Sequence, residues 1–285
     1  MNHACVVQLS RELRFSLVGD ELAAPAANNF AGNPPTRGLA PFCTLQARVT
    51  GQVDATSGML MNIREMDRVL RQVAVPVLVQ AYMNSFGRGL TDTIRGTSDA
   101  LVPIRAFDPA LLLPDLFERL VPRFLPRTLS GLGLGLSPFY FLYIDRKEHP
   151  MIRMTRRFEF SAAHRLHSDA LSEQENIALF GKCNNLNGHG HNYELEVTIG
   201  GRVDAVAGEL MPTHTFQHIV NERIIQTFDH KHLNLDCPQF ARLNPTVENI
   251  AQIIFDTLRP AFGDSAQLLA VKVWETPKTW CEVTA

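Results

Sequence analysis

The chain has 285 residues, 45% hydrophobic and 20% charged, which is enough apolar side chain for one large domain or two ordinary ones and too much for wholesale disorder. A net charge of −2 gives no electrostatic case for nucleic acid or an anionic membrane, while leaving room for a local basic pocket that takes a phosphorylated small molecule. The five cysteines, at 5, 43, 183, 237 and 281, are scattered without paired spacing, and no secretory signal is evident, so reduced thiols and a cytoplasmic location are expected.

Residues 1–20 begin with a strand-like segment around Val6, Val7 and Leu9 that continues to Leu13 and Phe15. Residues 23–42, rich in Ala, Asn, Pro and Gly, read as a loop. Leu45, Ala47 and Val49 alternate with Gln46, Arg48 and Thr50, which predicts a second strand, and Gly51 to Gly58 predicts a turn. From Met59 to Leu78, Met66, Val69, Leu70 and Val73 recur at helical spacing, with Pro76 expected to limit how far the helix runs. A helical segment at 110–124 precedes strand-like residues at 132–144. Thr128 to Ile144 is uncharged but carries three glycines and Pro138 and is shorter than the roughly 20 residues of a spanning helix, so buried strands are expected rather than a membrane span.

The second half repeats this order. Gly51-Gln-Val-Asp-Ala-Thr-Ser-Gly-Met-Leu-Met61 resembles Gly201-Arg-Val-Asp-Ala-Val-Ala-Gly-Glu-Leu-Met211, and Leu45, Ala47 and Val49 fall over Leu195, Val197 and Ile199. Helical segments at 216–228 and 247–262 and strands at 268–283 complete the correspondence. Two copies of one unit are expected, 1–148 and 149–285, each an α+β arrangement of a four-stranded antiparallel sheet with helices on one face.

The copies differ in their chemistry. In the second, Phe158, Phe160, Ala162 and His164 share one strand face, and His189, His191, Tyr193, Leu195, Val197 and Ile199 share another. Each histidine ends an apolar face, so neighbouring strands would bring three imidazoles together as an open zinc site, with Gly188 and Gly190 leaving backbone space around it. The corresponding slots of the first copy hold Gly19, Leu39 and Pro41, with Asn33 near the slot of Cys183, so that copy is expected to be a non-catalytic scaffold. Cys183 lies in a Gly/Asn loop beside Lys182, where a cation and a metal would lower its pKa toward a thiolate base. Asp229-His230 at a helix end is either a solvated charged terminus or a carboxylate orienting a proton-shuttling imidazole. Glu275 interrupts an apolar strand, either as a solvated strand end or as an acceptor for a ligand edge with adjacent N–H donors. Thr246 is placed to cap the following helix, with a ligand contact the weaker reading.

Phe160-Ser-Ala-Ala-His164, Phe180-Gly-Lys-Cys-Asn-Asn-Leu-Asn-Gly-His-Gly-His-Asn-Tyr193, Phe228-Asp-His-Lys-His-Leu-Asn234, Pro245-Thr-Val-Glu-Asn249 and Trp274-Glu-Thr276 occur in the order of a known pattern. The second half, from Met154 to about Thr284, resembles the 6-pyruvoyl-tetrahydropterin synthase / 6-carboxytetrahydropterin synthase family, and the first half resembles that fold only through Val53 to Asn62 and its pattern. The resemblance implies tandem tunnelling-fold units that close a barrel as a homo-oligomer. It implies Zn2+ on His164, His189 and His191, proton transfer by Cys183, Asp229 and His230, and substrate binding by Glu275 and Thr246. It implies a lyase that eliminates triphosphate from 7,8-dihydroneopterin triphosphate to give 6-pyruvoyl-tetrahydropterin, with no redox cofactor. Two other outcomes compete: a 6-carboxy-5,6,7,8-tetrahydropterin synthase of queuosine biosynthesis, and a non-catalytic zinc-stabilised assembly protein. One departure is Glu209-Leu-Met-Pro212, where the family keeps Asn or Asp after the Met, which makes the start of that helix uncertain.

Overall fold

The structure, a computed structural model, describes residues 5–17, 41–94, 108–204, 208–263 and 266–285, without the side chains of 86–94. Of the first copy's slots, Gly19, Asn33 and Leu39 lie outside the described residues, as does nearly all of the 23–42 loop. The chain divides into two compact units, Met1–Arg153 with Arg202–Glu209, and Met154–Gly201 with Leu210–Ala285.

In the first unit, β1 (Val6–Ser16) pairs antiparallel with β2 (Phe42–Gln52), Leu13 opposite Leu45. Next come helix α1 (Ile63–Val69), a π turn over Leu70–Ala74 and helix α2 (Val75–Ile94). Helix α3 (Pro109–Leu120) leads to β3 (Thr128–Ser137) and β4 (Tyr140–Asp145), and the strand order is β1-β2-β3-β4. Pro76 does not stop the helix. A proline lacks the N–H that an α-turn needs, and the wider turn just before it takes up the mismatch. The uncharged 128–144 stretch is the β3–β4 hairpin, and among the described residues no helix is long and apolar enough to cross a membrane. A Cβ at Gly131 would run into the Tyr143 hydroxyl, so the glycine lets the β4 aromatic lie across β3, where Arg48 covers its ring at 4.7 Å.

The second unit starts within β5 (Ile152–His164) and continues through helix α4 (Glu173–Phe180), a 3-10 turn over Gly181–Asn184 and β6 (His189–Gly201). Helix α5 (Thr213–Val220), a π turn over Asn221–Ile225 and helix α6 (Gln226–Phe228) follow, so the same α–π–α sequence recurs, here with no proline after the turn. Short β7 (Lys231–His232) runs parallel to β5 at Ala162 and Ala163, and helix α7 (Leu233–Asp236) follows. Helix α8 (Val247–Leu258) packs on β8 (Gln267–Thr276) and β9 (Thr279–Thr284). The strand order is β5-β6-β8-β9, with β6 and β8 antiparallel and Leu195 opposite Val273. The fold is α+β, with an antiparallel sheet whose apolar face is buried with the helices.

Along β6 every second residue from Tyr193 to Ile199 is fully buried, as the alternation predicts. The opposite face is polar: Arg157 pairs with Glu194 and Glu196, and Lys272 sits 3.8 Å from the Trp280 ring centroid. Pro212 stands at the N-cap of α5, where its carbonyl accepts the Phe216 N–H but no side chain caps, whereas Asn62 caps α1 by accepting the Arg64 N–H. The substitution removes a cap and leaves the helix start in place.

Candidate active site

His164 ends β5 and His189 opens β6, so two neighbouring strands deliver their histidines to one corner of the second unit. The nitrogens of His164, His189 and His191 that could hold an ion lie within 4.8 Å of one another, the one such cluster among the described residues. The His164 ring is fully buried, and its Nδ1 lies 2.7 Å from the Pro245 carbonyl. A carbonyl only accepts, so Nδ1 carries the proton and Nε2 keeps a lone pair facing the cluster. Burial first, and the neighbouring imidazoles after it, push the His164 pKa down to about 4, while burial and His191 lower that of His189. Both therefore favour the neutral form that a metal ligand needs.

The donor set fits zinc. The Nε2 atoms of His164 and His189 are 3.2 Å apart, close to the roughly 3.3 Å that tetrahedral Zn–N bonds impose. His191 Nε2 is buried with no hydrogen-bond partner and is therefore available to an ion. Gly188 lies just before His189 at φ +71°, and a Cβ there would stand 2.7 Å from His232 Nε2 and 2.8 Å from the His164 carbonyl oxygen, so only glycine fits. Gly190 differs from the expectation: a Cβ there meets nothing closer than 3.6 Å, because the residue lies in ordinary extended strand.

Glu275 sits at the end of β8 with Oε1 3.5 Å from His164 Nε2 and 3.7 Å from His191 Nε2, so the carboxylate borders the histidine cluster. Cys183 lies in the 3-10 turn, where its carbonyl accepts the Leu166 N–H at 2.8 Å. Arg165 and His167 fasten this turn through Asn184, and Asn234 holds the Arg165 backbone by both its N–H and its C=O. The thiol is half-buried, and burial followed by the Glu275 charge raises its pKa. Both effects are opposite in direction to that expected of Lys182 and a metal.

Asp229 and His230 form a second group. His230 Nδ1 is 2.8 Å from Asp229 Oδ2, Asp229 Oδ1 accepts the Ser161 N–H at 2.8 Å, and the His230 N–H donates to the Ser161 carbonyl at 2.6 Å. The Ser161 N–H, with His230 after it, holds the Asp229 carboxyl below its ordinary value. His230 is left-handed at φ +56°, rare for a residue with a Cβ, and the bonds to Ser161 and Asp229 hold it there. The exposed imidazole borders an open groove of about 480 Å³ that also takes in Ser161, Gly190, His191 and Asn192. No hydrogen bond joins His230 to Cys183 among the described residues; His191 borders both the groove and the Glu275 corner. Thr246 is the N-cap of α8, its Oγ1 accepting the Asn249 N–H, and the neighbouring Pro245 carbonyl orients His164.

Sequence reasoning did not single out Pro245, Arg165, His167, Asn234 or Tyr193. Tyr193 shares the alternating face of His189 and His191, a legible signal, whereas the others act through contacts between separate segments that no spacing reveals. The Tyr193 ring is fully buried and stacked on Phe160 at 4.9 Å, and its hydroxyl has no hydrogen-bond partner.

Residues 153–285 match the family described as 6-pyruvoyl tetrahydropterin synthase. The human 6-pyruvoyl tetrahydrobiopterin synthase is 46% identical over 124 residues, covering 44% of this chain and 85% of the human one. The 6-carboxy-5,6,7,8-tetrahydropterin synthase of Rickettsia bellii is 28% identical over 150 residues, covering 47% of this chain and 100% of the relative. Among solved structures, Caenorhabditis elegans 6-pyruvoyl tetrahydropterin synthase matches with 38% identity and a TM-score of 0.46, covering 48% of this chain and 96% of that one. The chain belongs to the 6-pyruvoyl tetrahydropterin synthase family through its C-terminal half.

Proposed function

We propose that the second unit is a zinc-dependent lyase that eliminates triphosphate from 7,8-dihydroneopterin triphosphate to give 6-pyruvoyl-tetrahydropterin. The observation that carries this reading is the corner where three metal-competent imidazoles meet Glu275, with Cys183 in electrostatic reach of that carboxylate. The greater identity to the human 6-pyruvoyl enzyme than to the 6-carboxy relative supports this product.

His164, His189 and His191 would hold the ion. Zinc, when bound, polarises the substrate's side-chain oxygens and so acidifies the adjoining carbon-bound proton. Cys183 Sγ takes that proton. Glu275 accepts from the paired N–H donors of the pterin ring, a match that two parallel bonds make specific. His230, oriented at Nδ1 by Asp229, passes protons to and from the groove while triphosphate leaves and the side chain is oxidised internally. No electrons leave the substrate, so no redox partner enters.

The first unit is, on this reading, a non-catalytic copy, and chains self-associate. The strand edges of β1 and β9, each with a single neighbour among the described residues, offer backbone partners to another copy. The decisive experiment incubates zinc-loaded protein with 7,8-dihydroneopterin triphosphate and identifies products by mass. Triphosphate with 6-pyruvoyl-tetrahydropterin is expected. Acetaldehyde with 6-carboxytetrahydropterin would assign the other synthase, and no consumption would leave the zinc-stabilised assembly role.

A further inference from the structure

The Tyr193 hydroxyl is, with His232 Nδ1, a buried polar group of this corner that the chemistry above leaves idle. It is buried, and it makes no hydrogen bond. Aromatic rings pack around it: Phe160 stacks on it at an interplanar angle of 13°, and His191 and His164 meet it edge-on with centroids 5.6 and 6.3 Å away. One residue beyond the Glu194–Trp274 pair of the β6–β8 ladder, Tyr193 comes opposite Glu275, and its hydroxyl lies in electrostatic reach of both Glu275 and Cys183. A buried donor without an acceptor destabilises a fold, and such groups persist where a ligand supplies the partner.

We propose that the Tyr193 hydroxyl donates a hydrogen bond to a side-chain oxygen of the bound pterin, which makes Tyr193 a further catalytic residue of this site. The proposal rests on the pterin-lyase reading. When the carbon-bound proton leaves, negative charge develops on the adjoining oxygen, and a fixed neutral donor stabilises that charge more than it stabilises the ground state. No bond to Tyr193 breaks; its proton stays on the phenol oxygen throughout. The ligand class is a reduced pterin whose C6 substituent carries a hydroxyl or keto oxygen.

Tyr193→Phe in the full, zinc-loaded chain tests this, because it deletes one oxygen and keeps the ring. The variant should bind the same amount of zinc, and its ligand-free Tm should equal or exceed that of the parent, since an unpaired donor is removed. Its kcat on 7,8-dihydroneopterin triphosphate should fall about 10²-fold, with KM changed far less. Undiminished kcat, or a ligand-free Tm clearly below the parent's, would overturn the proposal; the second result would mean that the hydroxyl is bonded within the protein. Calorimetric titration separates this inference from the function it rests on. If the parent binds the compound without converting it, the lyase reading alone fails, and a Kd weakened at least about fivefold in Tyr193→Phe sustains the donor role whereas an unchanged Kd ends it. If the parent neither binds nor converts it, both fail together.

Discussion

Three separate contacts prepare the His164 side chain to hold a metal. β5 brings it to the corner, burial keeps it neutral, and the Pro245 carbonyl fixes which nitrogen faces inward. Cys183 is not one of the three clustered donors. Cys183→Ala should therefore keep one zinc per chain, measured by metal analysis, and lose at least about 10²-fold in turnover. Gly188→Ala forces a Cβ against the His164 carbonyl and the His232 ring in a left-handed backbone, and should lower stability by about 1–3 kcal/mol and weaken zinc retention, read by denaturant titration and dialysis against a chelator. Asp229 predicts a pH dependence. Its folded pKa is depressed by the Ser161 N–H first, so its stabilising effect is present above the unfolded value of about 3.9 and is lost as pH falls through the lower folded value. The Tm of Asp229→Asn should lie below the parent's at pH 6 and converge with it as pH drops below about 4.

Among the elements, the connection from β5 to β6 does most to place the chemistry. Ser172 caps α4 in a reciprocal pair with Glu175, and Gly181 ends the helix at φ +51°, so the turn carrying Cys183 starts at a defined point. Buried Asn176 ties the preceding loop through the Ser168 N–H and three backbone carbonyls. Ser172→Ala should cost about 1 kcal/mol, seen as a lower Tm with zinc content unchanged. The capping pattern Ser-Glu-Gln-Glu is present in the sequence but carries little apolar periodicity, which is why α4 escapes a reading based on spacing. The π turns escape for a different reason: the widening of a helix depends on what packs against it, and helical spacing looks the same on both sides.

At the scale of the molecule, both units contain the order strand-strand-helix-π turn-helix-helix-strand-strand among the described residues, to which the second adds α4 between its first two strands and β7 and α7 before α8, and the metal-competent cluster lies in the second. One zinc per chain is the expected stoichiometry, and more than about one would give the first unit a site of its own. Stripping zinc with a chelator should lower the Tm, because an ion that binds only the folded state stabilises it by mass action. Light scattering should return a mass of more than one chain.

Alternation along β5, β6 and β8, together with the order of Cys183, His189, His191, Asp229 and Glu275, determined the α+β sheet and named the candidate residues from sequence alone, because a strand's period of two fixes which side chains share a face. Only the tertiary structure decided what each of them meets. Pro245 is 81 residues from the imidazole it orients, and Asn234 is 69 residues from the backbone it clamps. Folding also buries Cys183 beside Glu275, which raises its pKa, and sets the Asp229–His230 pair against the Ser161 backbone. These outcomes depend on contacts between distant segments and on the water those contacts exclude, neither of which local spacing encodes.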